Sequence, residues 1–240
     1  MKILLIALLS ISVSVGSTEA ATINLIATKD NTLIENVEGS FSNGAGEFLF
    51  VGKTDDSELR RAVLHFDIAD AIPAGSTINS VILHLSVTRA ANNKPASENV
   101  ELHKLLASWG EGSSNSAGGG GAASTTDDAT WIHRFYPSEL WTNAGGDFSA
   151  TVSASTLVDD IGSYTWGSNS KMVADVQEWL DTPSDNFGWL LLGDESFNRS
   201  TRQFASKENS NEALRPVLTV DYTPSLAIVP TVELPLLLSE

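Results

Sequence analysis

Three histidines occupy positions from which their side chains could do chemistry together. His65, His84 and His103 each alternate with apolar neighbours in short segments typical of β-strands, and Arg61 shares a face with His65. Because successive strand residues point to opposite sides, each histidine is expected to face away from the buried side. If the three strands share a sheet, these residues form one polar outer face. Such a face is compatible with solvated surface positions, with sugar binding, or with a metal site built from imidazole nitrogens.

Aromatic residues outside the strand pattern form a second group of candidates. Trp131, Tyr136 and Trp141 lie in a stretch without clean alternation, flanked by glycine-rich segments. Exposed aromatic planes beside hydrogen-bonding groups are suited to sugar ligands. We therefore predict that these three residues contribute to a ligand-binding surface. The alternative is that they pack in the core or anchor loops.

Positive charge is scarce, and it limits which ligands the chain can bind. The sequence has 14 Lys+Arg against 30 Asp+Glu, a formal charge of −16. An anionic ligand would therefore need a local basic patch that opposes the overall field. We predict such a patch around Arg60, Arg61 and Arg202, with Arg199 and Lys207 as further candidates. The predicted partner is a polysaccharide, and an anionic one would depend on this patch.

The same composition excludes several classes of protein. No basic stripe is present, so the chain is not a nucleic-acid module driven by counterion release. Zero cysteines exclude disulfides, thiolate zinc sites and cysteine nucleophiles. The Gly-x-Ser-x-Gly and His-Glu-x-x-His motifs are also absent, and the many carboxylates nominate no glycosidase pair. We predict no catalytic residue and no enzymatic activity.

Paired carboxylates recur along the chain and have two interpretations. Clusters of carboxylate oxygens can hold Ca²⁺, although the spacing of an EF-hand loop is absent. A structural Ca²⁺ ion is therefore one interpretation, and a solvated acidic surface is the other. The pairs are Asp55-Asp56, Asp127-Asp128, Asp159-Asp160 and Asp194-Glu195.

Short alternating segments separated by turn residues define the elements that must position these groups. Nine segments favour strands, at residues 22–28, 47–52, 60–67, 78–89, 99–106, 147–155, 187–193, 202–206 and 216–222. One helix is predicted near residues 170–181, begun by Ser168 or Ser170 and ended by Pro183. The glycine-rich stretch 110–129 favours a mobile surface loop. The predicted fold is all-β, a jelly-roll β-sandwich with one short helix.

A series of short phrases resembles a known family. In order and spacing, the chain from about residue 22 to residue 223 is similar to the DNRLRE domain, a secreted β-sandwich domain of bacteria and archaea. The hexapeptide that names the family survives only partly, around residues 56–61. The phrases include Lys29-Asp30-Asn31-Thr32-Leu33, Asn43-Gly44-Ala45-Gly46, Leu59-Arg60-Arg61-Ala62-Val63-Leu64-His65-Phe66-Asp67, Ser108-Trp109-Gly110-Glu111-Gly112, Ser206-Lys207-Glu208 and Arg215-Pro216-Val217-Leu218.

This resemblance implies a jelly-roll fold and an extracellular role. Some members of the family are similar to carbohydrate-binding modules for alginate-like acidic polysaccharides, and others accompany disaggregatases and lyases. The resemblance implies no particular set of ligand residues in this chain.

Both ends of the sequence carry features of export. Residues 1–20 have a lysine, an apolar run and a Thr-Glu-Ala site, and they predict a cleaved secretory signal peptide. Residues 21–223 form the predicted domain, with no stable membrane span after cleavage. The tail, residues 224–240, resembles a degenerate PEP-CTERM-like sorting segment or is a frayed end. We expect a protein that is secreted, extracellular or at the cell surface.

The sequence thus predicts a secreted, non-catalytic module that binds extracellular or cell-surface polysaccharide. Two other functions remain open. One is a structural protein of an extracellular matrix or appendage, and the other is an accessory domain of a polysaccharide-degrading system.

Overall fold

Antiparallel strands are the main regular elements of the fold. The computed structural model describes residues 11–13, 18–91, 97–226 and 230–232. All nine predicted segments fall on strands, and the predicted all-β sandwich with one helix is confirmed. The strands are β1 (Ile11–Val13), β2 (Ala21–Ile26), β3 (Lys29–Ile34), β4 (Phe41–Ser42), β5 (Phe48–Lys53), β6 (Leu59–His65), β7 (Thr77–Ala90), β8 (Glu98–Leu105), β9 (Ala122–Ala123), β10 (His133–Phe135), β11 (Glu139–Leu140), β12 (Phe148–Val158), β13 (Gly162–Trp166), β14 (Trp189–Leu192), β15 (Arg202–Ala205), β16 (Val217–Thr223) and β17 (Pro230–Val232).

One sheet curls over to give two packed layers. The first layer has the order β3–β6–β14–β8–β12, and the second has the order β2–β16–β7–β15–β5. Strand β5 joins them, because Phe48–Val51 pair with β15 while Gly52 and Lys53 pair with β6. Strand β13 pairs with β7 on the side away from β16.

The inner faces of the two layers enclose the main core together with the one α-helix that the described residues form. Leu64 of the first layer and Leu83 of the second are fully buried there. Helix α1 (Ser170–Asp181) adds Val176 and Trp179, whose ring lies 4.5 Å from that of Trp189 on β14. The helix therefore closes one part of the sandwich with an apolar face.

The helix begins at a different residue from the one predicted. Asn169 is the N-cap, and its side chain accepts hydrogen bonds from the backbone N–H groups of Lys171 and Met172. Ser168 instead accepts from the backbone N–H of Val81 on β7. The prediction of a serine cap was wrong, because all three residues are suitable caps and only the tertiary contacts separate them.

A second apolar cluster lies on the outer face of the first layer. Residues 106–147 cross this face, and Trp109, Trp131 and Trp141 pack there against Val63 and Leu190. The first layer is therefore covered on both sides. This arrangement contradicts the expectation that the side of β6 carrying Arg61 and His65 faces solvent.

The predicted signal peptide, residues 1–20, and the predicted tail, residues 224–240, lie largely outside the described residues. Within them the structure describes residues 18–20 and 224–226, and the pairing of Ile11–Val13 with Pro230–Val232. Among the described residues, no helix has the length and apolar character needed to cross a membrane.

Candidate ligand-binding site

The three predicted histidines do not form one cluster. His65 and His103 are in the first layer with β14 between their strands, and His84 is on β7 in the second layer. His103 is buried, with its Nδ1 2.9 Å from the backbone oxygen of Ser149. The expectation of one outer histidine face was wrong, because strand pairing places the three strands in two layers.

His65 has a structural environment. Its Nδ1 lies 2.7 Å from the hydroxyl of Thr28. Burial, followed by the nearby charge of Lys29, lowers the pKa of His65 to about 4. Across the part of the chain that the structure describes, no group of three or more His, Asp or Glu side chains could hold a metal ion. Neither the histidine site nor the predicted Ca²⁺ therefore gains a candidate position.

The predicted basic patch is not exposed. Arg60 is 3% exposed and donates to the backbone oxygen of Gly119 at 2.6 Å. Arg202 is fully buried and pairs at 2.7 Å with the buried carboxylate of Glu98. Arg61 donates to both carboxylate oxygens of Glu195, at 2.7 and 3.0 Å. Arg60 and Arg202 are buried and Arg61 is engaged by Glu195, so these three residues do not form the exposed basic patch that the sequence predicted.

The predicted aromatic surface is also mostly internal. Trp131 and Trp141 are buried, and the Trp141 indole N–H donates to the backbone oxygen of Thr130 at 2.9 Å. The guanidinium of Arg61 lies 4.8 Å from the centre of the Trp131 ring. Tyr136 is half-buried, with its ring edge-to-face on His133 at 5.0 Å. These residues hold the covering segment on the first layer.

An open groove of about 450 Å³ lies instead on the outer face of the second layer. It forms where β5 and β7 end and β15 begins, beside the glycine-rich stretch. Phe50, Gln203 and Arg89 lie in one row across it, because Gln203 pairs with Phe50 on one side and Arg89 on the other. We call this space the first groove.

Strand alternation explains why this row faces outward. Leu49 and Val51 flank Phe50 on β5, and Phe204 follows Gln203 on β15; all three are core residues. The intervening side chains must then point to the opposite side of the sheet. The Gln203 amide donates to the hydroxyl of Thr88 at 3.1 Å, which fixes its orientation beside Arg89.

The glycine-rich stretch contributes one wall of the first groove. Gly119 lies against Phe50, and a Cβ at Gly119 would approach the Phe50 ring to 3.0 Å. Arg60 bonds the backbone oxygen of Gly119, and β9 pairs with β4 a few residues further on. The stretch lies at the surface and is hydrogen-bonded to the sandwich at these points, while the mobility predicted for it stays a prediction.

Two arginines give the first groove its electrostatic character. Arg199 donates to both carboxylate oxygens of Asp55, at 2.6 and 2.9 Å. The hydrogen bond from Arg199 is the main cause that lowers the pKa of Asp55. Arg89 is exposed, and no described residue pairs with its guanidinium. The groove thus offers one cation that a ligand can reach on a strongly acidic protein.

Arg199 was predictable from the sequence as a candidate cation, whereas Phe50, Arg89 and Gln203 were not predicted. Alternation alone places Phe50 and Gln203 on the outward sides of their strands. That β15 lies between β5 and β7, which brings the three residues into one row, is not visible in the sequence.

No protein-family model matches the chain, and no curated protein matches it. The resemblance to the DNRLRE domain therefore stays a prediction.

Proposed function

We propose that this protein is a secreted, non-catalytic module that binds extracellular or cell-surface polysaccharide in the first groove. The observation that carries the proposal is the outward row of Phe50, Gln203 and Arg89 in an open, preformed groove. Binding sites for small molecules combine apolar lining with a few fixed polar groups, and this row has both.

Each member of the row has a role that suits a sugar. The Phe50 ring, 6% exposed beneath Gly119, adds a narrow apolar edge to the floor of the groove. The amide of Gln203 both donates and accepts, which matches hydroxyl groups, and it is held in place by Thr88. Arg89 donates in a planar fork that suits hydroxyls or a carboxylate.

The carboxylates of the first groove support binding without hydrolysis. Asp55 is the only carboxylate among the described residues that line it, and both its oxygens accept from Arg199. Glycoside hydrolysis ordinarily needs two carboxylates that flank the bond, about 5–10 Å apart. We therefore expect the groove to bind a glycan without cleaving it.

Affinity electrophoresis tests the proposal directly. Native gels containing sodium alginate, polygalacturonate or a soluble neutral glucan should retard the wild-type protein in at least one case. Arg89→Ala and Gln203→Ala should weaken the retardation, because each removes hydrogen bonds at the centre of the row. Arg134→Ala, which removes the same charge from the cover of the first layer, serves as the matched control. Free migration of the wild type in all three gels refutes polysaccharide binding.

A structural role in a matrix or appendage is the second candidate, and one feature favours it. Strand β12 has eleven residues and ends the sheet, and among the described residues it pairs only with β8. Leu157 on this strand and Ile161 just beyond it are exposed. Edge strands of this kind can pair with another chain. A constant monomer mass by light scattering across a wide concentration range argues against self-assembly through this edge.

A further inference from the structure

We infer that the second layer carries a second polysaccharide subsite around His84, continuous with the first groove along β7. The inference rests on the proposed function, because it assigns a second contact to the same chain of sugars. Three observations support it: a separate groove, hydrogen-bonding groups in that groove that lack a partner among the described residues, and a β-bulge in β7 that turns both grooves to the same face.

The second groove has a volume of about 430 Å³ and also lies on the outer face of the second layer. Asn24 of β2, Thr219 of β16 and His84 of β7 converge there from three adjacent strands. Thr219 Oγ1 donates to Asn24 Oδ1 at 2.8 Å and lies 3.2 Å from His84 Nε2. Arg215 and Ser163 complete the polar part of the lining.

The hydrogen bonds within this second groove leave groups for a ligand. Since the Thr219 hydroxyl proton goes to Asn24, the contact with His84 requires the imidazole Nε2–H to donate to Thr219. In that tautomer Nδ1 is an acceptor. Among the described residues, neither this Nδ1 nor the amide N–H₂ of Asn24 has a hydrogen-bond partner. One acceptor and a pair of donors side by side match the hydroxyls of a sugar.

A β-bulge puts the two grooves on one continuous face. Between His84 and Arg89 there are five steps along β7, which in a regular strand would place the two side chains on opposite sides. The register with β15 shifts here, since Phe204 pairs with Val87 and Gln203 with Arg89. The extra residue, Thr88, restores the outward direction for Arg89, as bulges do when they re-aim a side chain.

The resulting surface fits an extended chain better than a single sugar. At about 3.3 Å per residue, His84 and Arg89 are roughly 15 Å apart along the strand. Between them on the same strand, Thr88 is half-buried and Ser86 is buried, so Thr88 is the intermediate residue that a ligand can reach. A polymer that reaches both grooves gains the second contact at high effective concentration, so its affinity exceeds that of a short oligomer.

The test compares short and long oligomers of whichever polymer retards the wild-type protein: alginate, polygalacturonate or neutral glucan. The short oligomer is shorter than the separation of the grooves, and the long one is about twice that separation. Isothermal titration calorimetry should give the long oligomer an affinity higher by about tenfold or more. His84→Ala and Asn24→Ala should abolish most of this gain and leave the short-oligomer affinity unchanged.

Controls separate the two proposals. Arg89→Ala should weaken both oligomers, and Asn99→Ala, which removes an exposed strand asparagine from the first layer, should change neither. Equal affinities for short and long oligomers would contradict the second subsite. So would a higher affinity for the long oligomer that persists in the His84 and Asn24 variants. In either case, weaker binding by Arg89→Ala would still support the first groove. If no polymer binds the wild type, both proposals fail together.

Discussion

At the scale of single residues, the arginines are the clearest difference between pattern and structure. Arg61 occupies an outward strand position, yet it donates to Glu195 and to the backbone oxygen of Gly145 and lies over Trp131. Alternation correctly gives its side of the strand. Whether that side meets solvent depends on residues 106–147, which are distant in sequence from β6. Residue patterns therefore predict direction, and long-range packing decides exposure.

Asp30 illustrates the cost of a polar group buried by such packing. It is fully buried, and its Oδ2 accepts the backbone N–H of Lys207 at 2.7 Å. Its Oδ1 and the Oε2 of Glu208 are buried without a hydrogen-bond partner among the described residues. Burial above all, and then the charge of Glu208, raise the pKa of Asp30 well above its usual value. The folded protein consequently holds a proton there more tightly than the unfolded chain.

The pH dependence of stability follows from this shift. The pKa of Asp30 is about 3.8 in the unfolded chain and higher in the folded protein. The contribution of this proton to the free energy of unfolding is therefore complete below pH about 3.8, and it is lost as the pH rises through the folded-state pKa. Asp30→Asn resembles the protonated side chain and removes this dependence. Relative to wild type, its unfolding free energy should rise by up to about 1.4 kcal/mol per pH unit above pH about 4.

Urea unfolding over a pH series measures this difference. Asp30→Ala, which loses the acceptor for the Lys207 N–H, should be less stable than Asp30→Asn at every pH. Parallel stability curves for wild type and Asp30→Asn would contradict the raised pKa.

At the scale of elements, strands with clean alternation were predictable and those with polar inward residues were not. Strand β3 was missed because three consecutive residues in it, Asp30, Asn31 and Thr32, are polar and all buried. Their partners come from elsewhere: the Asn31 amide donates to the backbone oxygen of Glu111, and Thr32 Oγ1 accepts the backbone N–H of Phe50. A buried polar strand requires such tertiary partners, which no local pattern reveals.

The glycine-rich loop offers a test of the first groove at the same scale. Gly119→Val would put a branched side chain where a Cβ alone comes within 3.0 Å of the Phe50 ring, and the added methyl groups would occupy the groove. We expect apparent affinity in the retarding gel to fall by about tenfold or more, about 1.4 kcal/mol of binding free energy.

Gly120→Val is the matched control for this loop, because a Cβ there has nothing within 4 Å. Affinity electrophoresis and thermal unfolding of both variants should show similar stability and different binding. Equal retardation of the two variants would exclude the groove beside Gly119 as the binding position.

At the scale of the whole molecule, the two layers of the sandwich differ in what covers them. The outer face of the first layer carries residues 106–147 and a tryptophan-rich cluster. The second layer has two open grooves on its outer face. The sequence predicted a sandwich and could not distinguish its faces, because both layers alternate in the same way. The asymmetry comes from one long connection between β8 and β12, and it leaves the outer face of the second layer open at these two grooves.

The net negative charge of the protein affects the stability of the whole fold. With 30 acidic residues against 14 basic ones, the folded chain confines a formal charge of −16 in a small volume. The ion pairs at Arg202 and Arg61 neutralise carboxylates internally, so most of the remaining negative charge lies on the surface and repels itself. Such repulsion disfavours the compact state.

Salt should therefore stabilise this protein. Raising NaCl from about 0.01 M to about 1 M shortens the screening length from about 30 Å to about 3 Å and removes most long-range repulsion. We expect the thermal midpoint to rise by about 2–4 °C, equivalent to about 1 kcal/mol at this chain length. KCl should have the same effect if screening is the cause, since screening depends on ionic strength and not on the cation. A midpoint that falls with salt would mean that surface pairs such as Arg199–Asp55 and Lys104–Glu178 contribute more than the repulsion costs.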